Sequence, residues 1–140
     1  MTGFEPISGR CQCGAVRFTV RGPAERLYHC HCSMCRRVHG AVFGTFAVVR
    51  RDRLTIDRGA DNLVTYDSSP KLHRLFCRTC GCQLFNDSDD EPNLIWYTPG
   101  TVDGDPGNAP GMEMHIFVGS KLPWYRIADG LPQHHEFANP

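Results

Sequence analysis

The chain has no net charge and no long apolar run. Its 15 lysines and arginines are matched by 15 aspartates and glutamates over 140 residues, so no bulk field draws it toward nucleic acid or an anionic lipid surface. No stretch approaches the ~18 apolar residues that a membrane-spanning helix needs. The opening MTGFEPISGR has neither the cationic nor the apolar region of an export signal, and a cytoplasmic location is the expectation. Internal repeats beyond the cysteine pairs, low-complexity tracts and the βαβ context of a thioredoxin-like redox motif are also missing. The length suits one domain able to bury its own core. We therefore expect 1–140 to form a single domain, with the tail after about residue 130 extended.

What the chain has in excess is cysteine, eight residues in all. Without an export signal, metal binding or catalysis is a better use for them than a disulfide framework. They fall into three groups: Cys11 and Cys13 in CQC, Cys30, Cys32 and Cys35 in CHCSMC, and Cys77, Cys80 and Cys82 in CRTCGC. On extended backbone, residues two apart project from one face. Cys11 with Cys13, and Cys30 with Cys32, thus each offer two sulfurs on one side, while His29 and His31 turn away. Cys77-Arg78-Thr79-Cys80 followed by Gly81 is a knuckle that wraps two thiolates around one tetrahedral ion. An economical grouping joins Cys11 and Cys13 to Cys77 and Cys80 as a closed site and leaves Cys30, Cys32 and Cys35 with an open fourth position. Cys82 is a rival ligand, and spacing alone also permits two closed four-sulfur sites.

The remaining sequence reads as short strands. Val16, Phe18 and Val20 alternate with Arg17 and Thr19, the signature of a half-buried strand. Glu25 to Cys30 reads as a second strand that carries Tyr28 toward the core and ends at the cysteine cluster. Val42 to Val49, Arg53 to Asp57, Leu63 to Tyr66, Leu72 to Phe76, Gln83 to Phe85, Leu94 to Tyr97 and Met114 to Val118 are short, β-branched or aromatic, and separated by Gly, Pro, Asp or Asn. An all-β fold follows. Ser33 to Val38 predicts one helical turn, with Ser33 as its N-cap and Gly40 as its stop. Pro99 to Gly111 predicts a long surface loop.

The ordered motifs GRCQCGAVRF, HCHCSMCRRVHG, FCRTCG and HIFVGSKLPWY resemble the glutathione-dependent formaldehyde-activating enzyme family, which includes the centromere-protein-V-like domains, from about Gly9 to about Pro132. The resemblance implies a β-tent fold, with zinc-stapled antiparallel sheets and one short helical turn, and two zinc ions. The closed ion would be held by Cys11, Cys13, Cys77 and Cys80, the open one by Cys30, Cys32 and Cys35. It further implies a carbon–sulfur lyase that joins glutathione or another thiol to formaldehyde or a related small aldehyde. The alternative is a zinc module that only binds an adduct or partner. Cys82-Gln83 departs from the Ser-Pro more frequent in the family, which keeps a cysteine redox role in view.

Around the open site, Arg36 and Arg37 are candidates to clamp a glutathione carboxylate. His39, one helical turn from Cys35, is a candidate proton carrier. Trp124 in LPWY reads as a core anchor.

Overall fold

The structure, a computed structural model, describes residues 4–107 and 111–138. In these residues ten strands form two sheets. The smaller has the order β1 (Ile7–Arg10), β2 (Arg17–Val20), β5 (Leu54–Arg58). The larger runs β10 (Met114–Ile116), β3 (Arg26–Cys30), β4 (Gly44–Arg50), β9 (Leu94–Tyr97), β8 (Gln83–Ser88), β7 (Leu72–Cys77), β6 (Leu63–Asp67). Among the described residues, the one helix of more than three residues is α1 (Ser33–His39). The all-β tent is therefore present, with boundaries shifted by a few residues. Every pair in it is antiparallel except β10 with β3, which is parallel. That exception arises because the chain returns to the sheet edge after a long excursion, which a two-residue hairpin could not provide. β1 was not anticipated, since Ile7–Arg10 has only one apolar side chain to mark it.

Side-chain alternation gives the large sheet two different faces. Leu27, Ala47, Val49, Phe85, Ile95 and Tyr97 point to one side and pack against Phe18 and Val20 of the small sheet in a shared core. Phe18 meets Phe85 edge-on, with ring centroids 5.0 Å apart. The residues in between point to the opposite face. Across the ladder, Arg74 lies opposite Asn86, Asn86 opposite Trp96, and Trp96 opposite Val48. Tyr28 lies opposite Phe46 on the same side. Tyr28 therefore serves the second face, not the main core. This face also carries Cys30.

The small sheet is tied closely to the chain beside it. At Gly59, φ is +82° and an added Cβ would sit 2.0 Å from the Ala15 carbonyl oxygen, so only glycine lets β5 turn there. The expected loop from Pro99 begins with a short 3₁₀ turn, Pro99–Thr101, and residues 108–110 lie outside the described set. The tail is an arm laid along β10. His115 N–H donates to the Pro132 carbonyl and Phe117 N–H to the Glu136 carbonyl, each at 2.9 Å.

On the far edge of the large sheet, His73 sits between two carboxylates, 2.6 Å from Asp67 and 2.8 Å from Asp89. Hydrogen bonding to Asp67, then to Asp89, raises its pKa to about 8. Both ring nitrogens donate only in the imidazolium form. Because the folded pKa lies above the ordinary value of about 6.5, the stabilisation is complete below about pH 6.5 and is lost as pH rises through about 8. His73→Gln should therefore flatten the decline of Tm across that interval. NMR titration of the parent protein should place His73 near 8, and an unshifted histidine would contradict the paired geometry.

Candidate metal centres and the adjoining cavity

Two groups of thiols converge, as the spacing suggested. Cys11 and Cys13 lie in the turn after β1, Cys77 ends β7, and Cys80 follows in the turn to β8. The four sulfurs are all within 4.8 Å of one another. Cys11 and Cys13 are 3.6 Å apart, and Cys13 and Cys77 3.7 Å. Four sulfurs at ~2.3 Å from a tetrahedral zinc are separated by about 3.8 Å, so the quartet fits such an ion. Gly14 and Gly81, with φ of +80° and +78°, make the turns that bring the sulfurs together. Val16 N–H donates to Cys11 Sγ at 3.4 Å, which favours its thiolate, and Asn62 Nδ2 donates to Cys77 Sγ at 3.3 Å. Cys82 is outside this group. Burial pushes its thiol pKa up, which does not suit a reactive redox cysteine.

The second group is built by the junction of β3 with α1. Cys30 ends the strand. Cys32, not Ser33, is the N-cap, and its sulfur accepts the Cys35 N–H at 3.3 Å. The cap therefore lies one residue earlier than expected, because a sulfur already directed at the metal cluster reaches the free helix N–H groups. Gly40 closes the helix in the left-handed conformation, φ 57°, as anticipated. Hydrogen bonds among the three sulfurs pull Cys32 down and push Cys30 up. Three thiols this close do not ionise together without a cation, and a soft divalent ion is the group that fits them. Among the described residues no fourth Cys, His, Asp or Glu joins the cluster.

Cys30, Cys32 and Cys35 line a cavity of about 390 Å³. Its walls include Tyr28, Phe46, Trp96 and Ile116 from the second sheet face. Trp96 Nε1–H donates to Tyr28 Oη at 2.9 Å. Arg74 also lines the cavity and is 0% exposed. Its Nη2 donates to Cys35 Sγ at 3.6 Å, while Nε and Nη1 have no partner among the described residues. This arginine was missed in the sequence because a charged residue within a strand usually marks a solvated face. Its in-phase spacing with Leu72 was the available signal.

The other candidates are placed differently. Arg36 is half-buried and Arg37 exposed, and neither lines the cavity. His39 ends α1 and packs edge-on against the cavity-wall residue Phe46, with centroids 5.5 Å apart, without lining the cavity itself. Burial first, and the Arg74 charge second, lower its pKa to about 4. Trp124 is 72% exposed, contrary to the expected core anchor. The aromatic positions of the main core are taken by Phe18, Phe85 and Tyr97, and the LPWY segment runs over the surface.

His29 and His31 do turn away from the sulfurs, into a histidine cluster that spacing did not reveal. His115 faces His29 across the β3–β10 pair. With Asp129 as carboxylate, His115 Nε2–H donates to it at 2.7 Å, and His31 Nε2–H donates to His115 Nδ1 at 2.8 Å. His29, His115 and Asp129 also lie close enough to hold an ion. Their hydrogen bonds leave both nitrogens of His115 satisfied without one, and the chain anchors β10 beside the cysteine strand.

The family model for glutathione-dependent formaldehyde-activating enzymes matches residues 6–120. A Fusarium vanettenii protein with the same description in its name is 30% identical over 84 residues, 59% of this chain and 45% of its own length. The match thus spans less than half of that curated relative. A crystal structure of a Rhodobacter sphaeroides protein superposes with a TM-score of 0.60 at 29% identity, covering 74% of this chain and 92% of the other.

Proposed function

Because the chain belongs to the glutathione-dependent formaldehyde-activating enzyme family, we propose that it is a zinc-dependent carbon–sulfur lyase that joins a thiol, in the first instance glutathione, to formaldehyde or a related small aldehyde. The observation that carries this reading is the three-sulfur cluster, open on its fourth side, at a cavity large enough for organic reactants. A structural metal site would be closed by four protein donors. In this reading Cys11, Cys13, Cys77 and Cys80 hold one zinc ion as a staple between the sheets, and Cys30, Cys32 and Cys35 hold the other.

Zinc bound at the open site would favour the ionised form of an incoming thiol and polarise an aldehyde oxygen. The protein's own groups do the rest. Cys32 and Cys35, fixed by the cap hydrogen bond, hold the cluster against the cavity. Arg74 balances the negative charge that three thiolates leave on a divalent ion, and supplies positive potential where an aldehyde oxygen gains charge. The aromatic walls exclude water from the adduct. His39, neutral and off the cavity, has no direct path to it.

The test is exchange NMR on zinc-loaded protein with glutathione and formaldehyde. Accelerated interconversion of free and adduct signals is the expected result. Broadened adduct signals with an unchanged rate would instead identify a module that only binds the adduct.

A further inference from the structure

The cavity is too large and too apolar for formaldehyde alone. We propose that the aldehyde it accepts carries an apolar, ring-sized substituent, which lies against Tyr28, Phe46 and Trp96 while its carbonyl carbon meets the thiol at the cysteine cluster. This rests on the adduct-forming reading above and names the electrophile within it.

Volume is the first argument. About 390 Å³ is available, against ~30 Å³ for a molecule the size of water, which formaldehyde barely exceeds. Surface chemistry is the second. The Trp96–Tyr28 hydrogen bond pairs the polar ends of both rings with each other, so they present mainly ring faces and edges to a ligand, as Phe46 does. Ile116, from β10, extends the same wall. Burying the charged ends of a peptide thiol against Tyr28, Phe46, Trp96 and Ile116, side chains that carry no charge, would be costly.

Apart from the buried Arg74, the charged residues of the lining lie together where the cavity meets solvent. Lys71 pairs with Asp90 at 3.1 Å, Glu91 is beside them, and all three are exposed. Glutathione can keep its carboxylates and ammonium among these groups while its sulfur reaches inward. The remaining apolar space then belongs to the group attached to the carbonyl. The step needs no co-reactant: the S–H bond breaks, a carbon–sulfur bond forms, the C=O π pair moves to oxygen, and that oxygen gains the thiol proton. Nothing is oxidised or reduced.

The experiment compares phenylacetaldehyde with formaldehyde on zinc-loaded protein in the presence of glutathione, again by exchange NMR. In parallel, the fluorescence of a Trp124→Phe variant, in which Trp96 is the sole tryptophan, reports aldehyde binding. We expect at least tenfold higher kcat/KM for phenylacetaldehyde and a saturable change in Trp96 emission. Trp96→Val should lower the phenylacetaldehyde-to-formaldehyde ratio by about tenfold or more, the scale of a lost apolar contact in a substrate pocket. Equal or better use of formaldehyde overturns the proposal and leaves the adduct-forming reading intact. If neither aldehyde is accelerated, that reading fails. In that case, saturable Trp96 quenching by phenylacetaldehyde would still support an apolar ligand, and its absence would refute one.

Discussion

Serine at Cys77 should leave the protein largely unfolded at 37 °C. Cys77 is fully buried, and its sulfur lies 3.7 Å from that of Cys13, 64 positions earlier. The quartet joins the turn after β1, in the small sheet, to the β7–β8 connection in the large one. Closing so long a loop costs chain entropy that local contacts do not offset. A structural zinc contributes roughly 10–16 kcal/mol in zinc-finger peptides, against a net domain stability of about 5–15 kcal/mol. Losing one of four thiolates forfeits enough of that contribution to bring stability near zero. Far-UV circular dichroism with thermal melts would measure the effect. Cys82→Ser is the matched control, since its sulfur is outside the quartet, and should shift Tm by only a few degrees. A Cys77→Ser protein that melts like the parent would mean that the quartet holds no structural ion.

Methionine at Arg74 should destabilise the metal-loaded protein far more than the metal-free one. A guanidinium with no solvent exposure must have a compensating anion, and its hydrogen-bond partner among the described residues is Cys35 Sγ. With metal bound, the cluster's three thiolates supply that anion, and removing the arginine leaves their excess negative charge buried and unbalanced. A loss of about 3–5 kcal/mol is the scale for breaking a buried pair by deleting one partner. Without metal, hydrogen bonds among the sulfurs favour a thiolate at Cys32 while holding Cys30 as a thiol, so the arginine balances less negative charge and Arg74→Met should cost much less. Thermal melts of both forms, with zinc release to a chelating dye, would separate the cases. If both cysteine sites hold zinc, as proposed, the variant should yield one of the two equivalents much faster than the parent. Equal retention of both ions, with the same loss of stability in both forms, would reduce Arg74 to a packing residue.

These two sites differ in how far the sequence revealed them. Local backbone geometry in knuckles and short extended segments marked the three cysteine groups, while their pairing was one economical choice among several that spacing allowed, the one that the family resemblance also implied. Cys11, Cys13, Cys77 and Cys80 came together as grouped, and so did Cys30, Cys32 and Cys35. Arg36 and Arg37 were chosen for their closeness in sequence to Cys35. The helix turns them away from the cavity, while Arg74, 39 positions from Cys35, meets its sulfur.

By itself, then, the sequence determined the β character, the helical turn closed by Gly40 and the three local groups of cysteines, because alternation, φ preferences and ligand spacing act over a few residues. Only the tertiary structure decided that Tyr28, Phe46, Trp96 and Arg74 share one face of the large sheet. That outcome depends on the register of five strands, β3, β4, β9, β8 and β7. Register is set by long-range pairing and by the shared core on the opposite face, neither of which leaves a local trace in the chain.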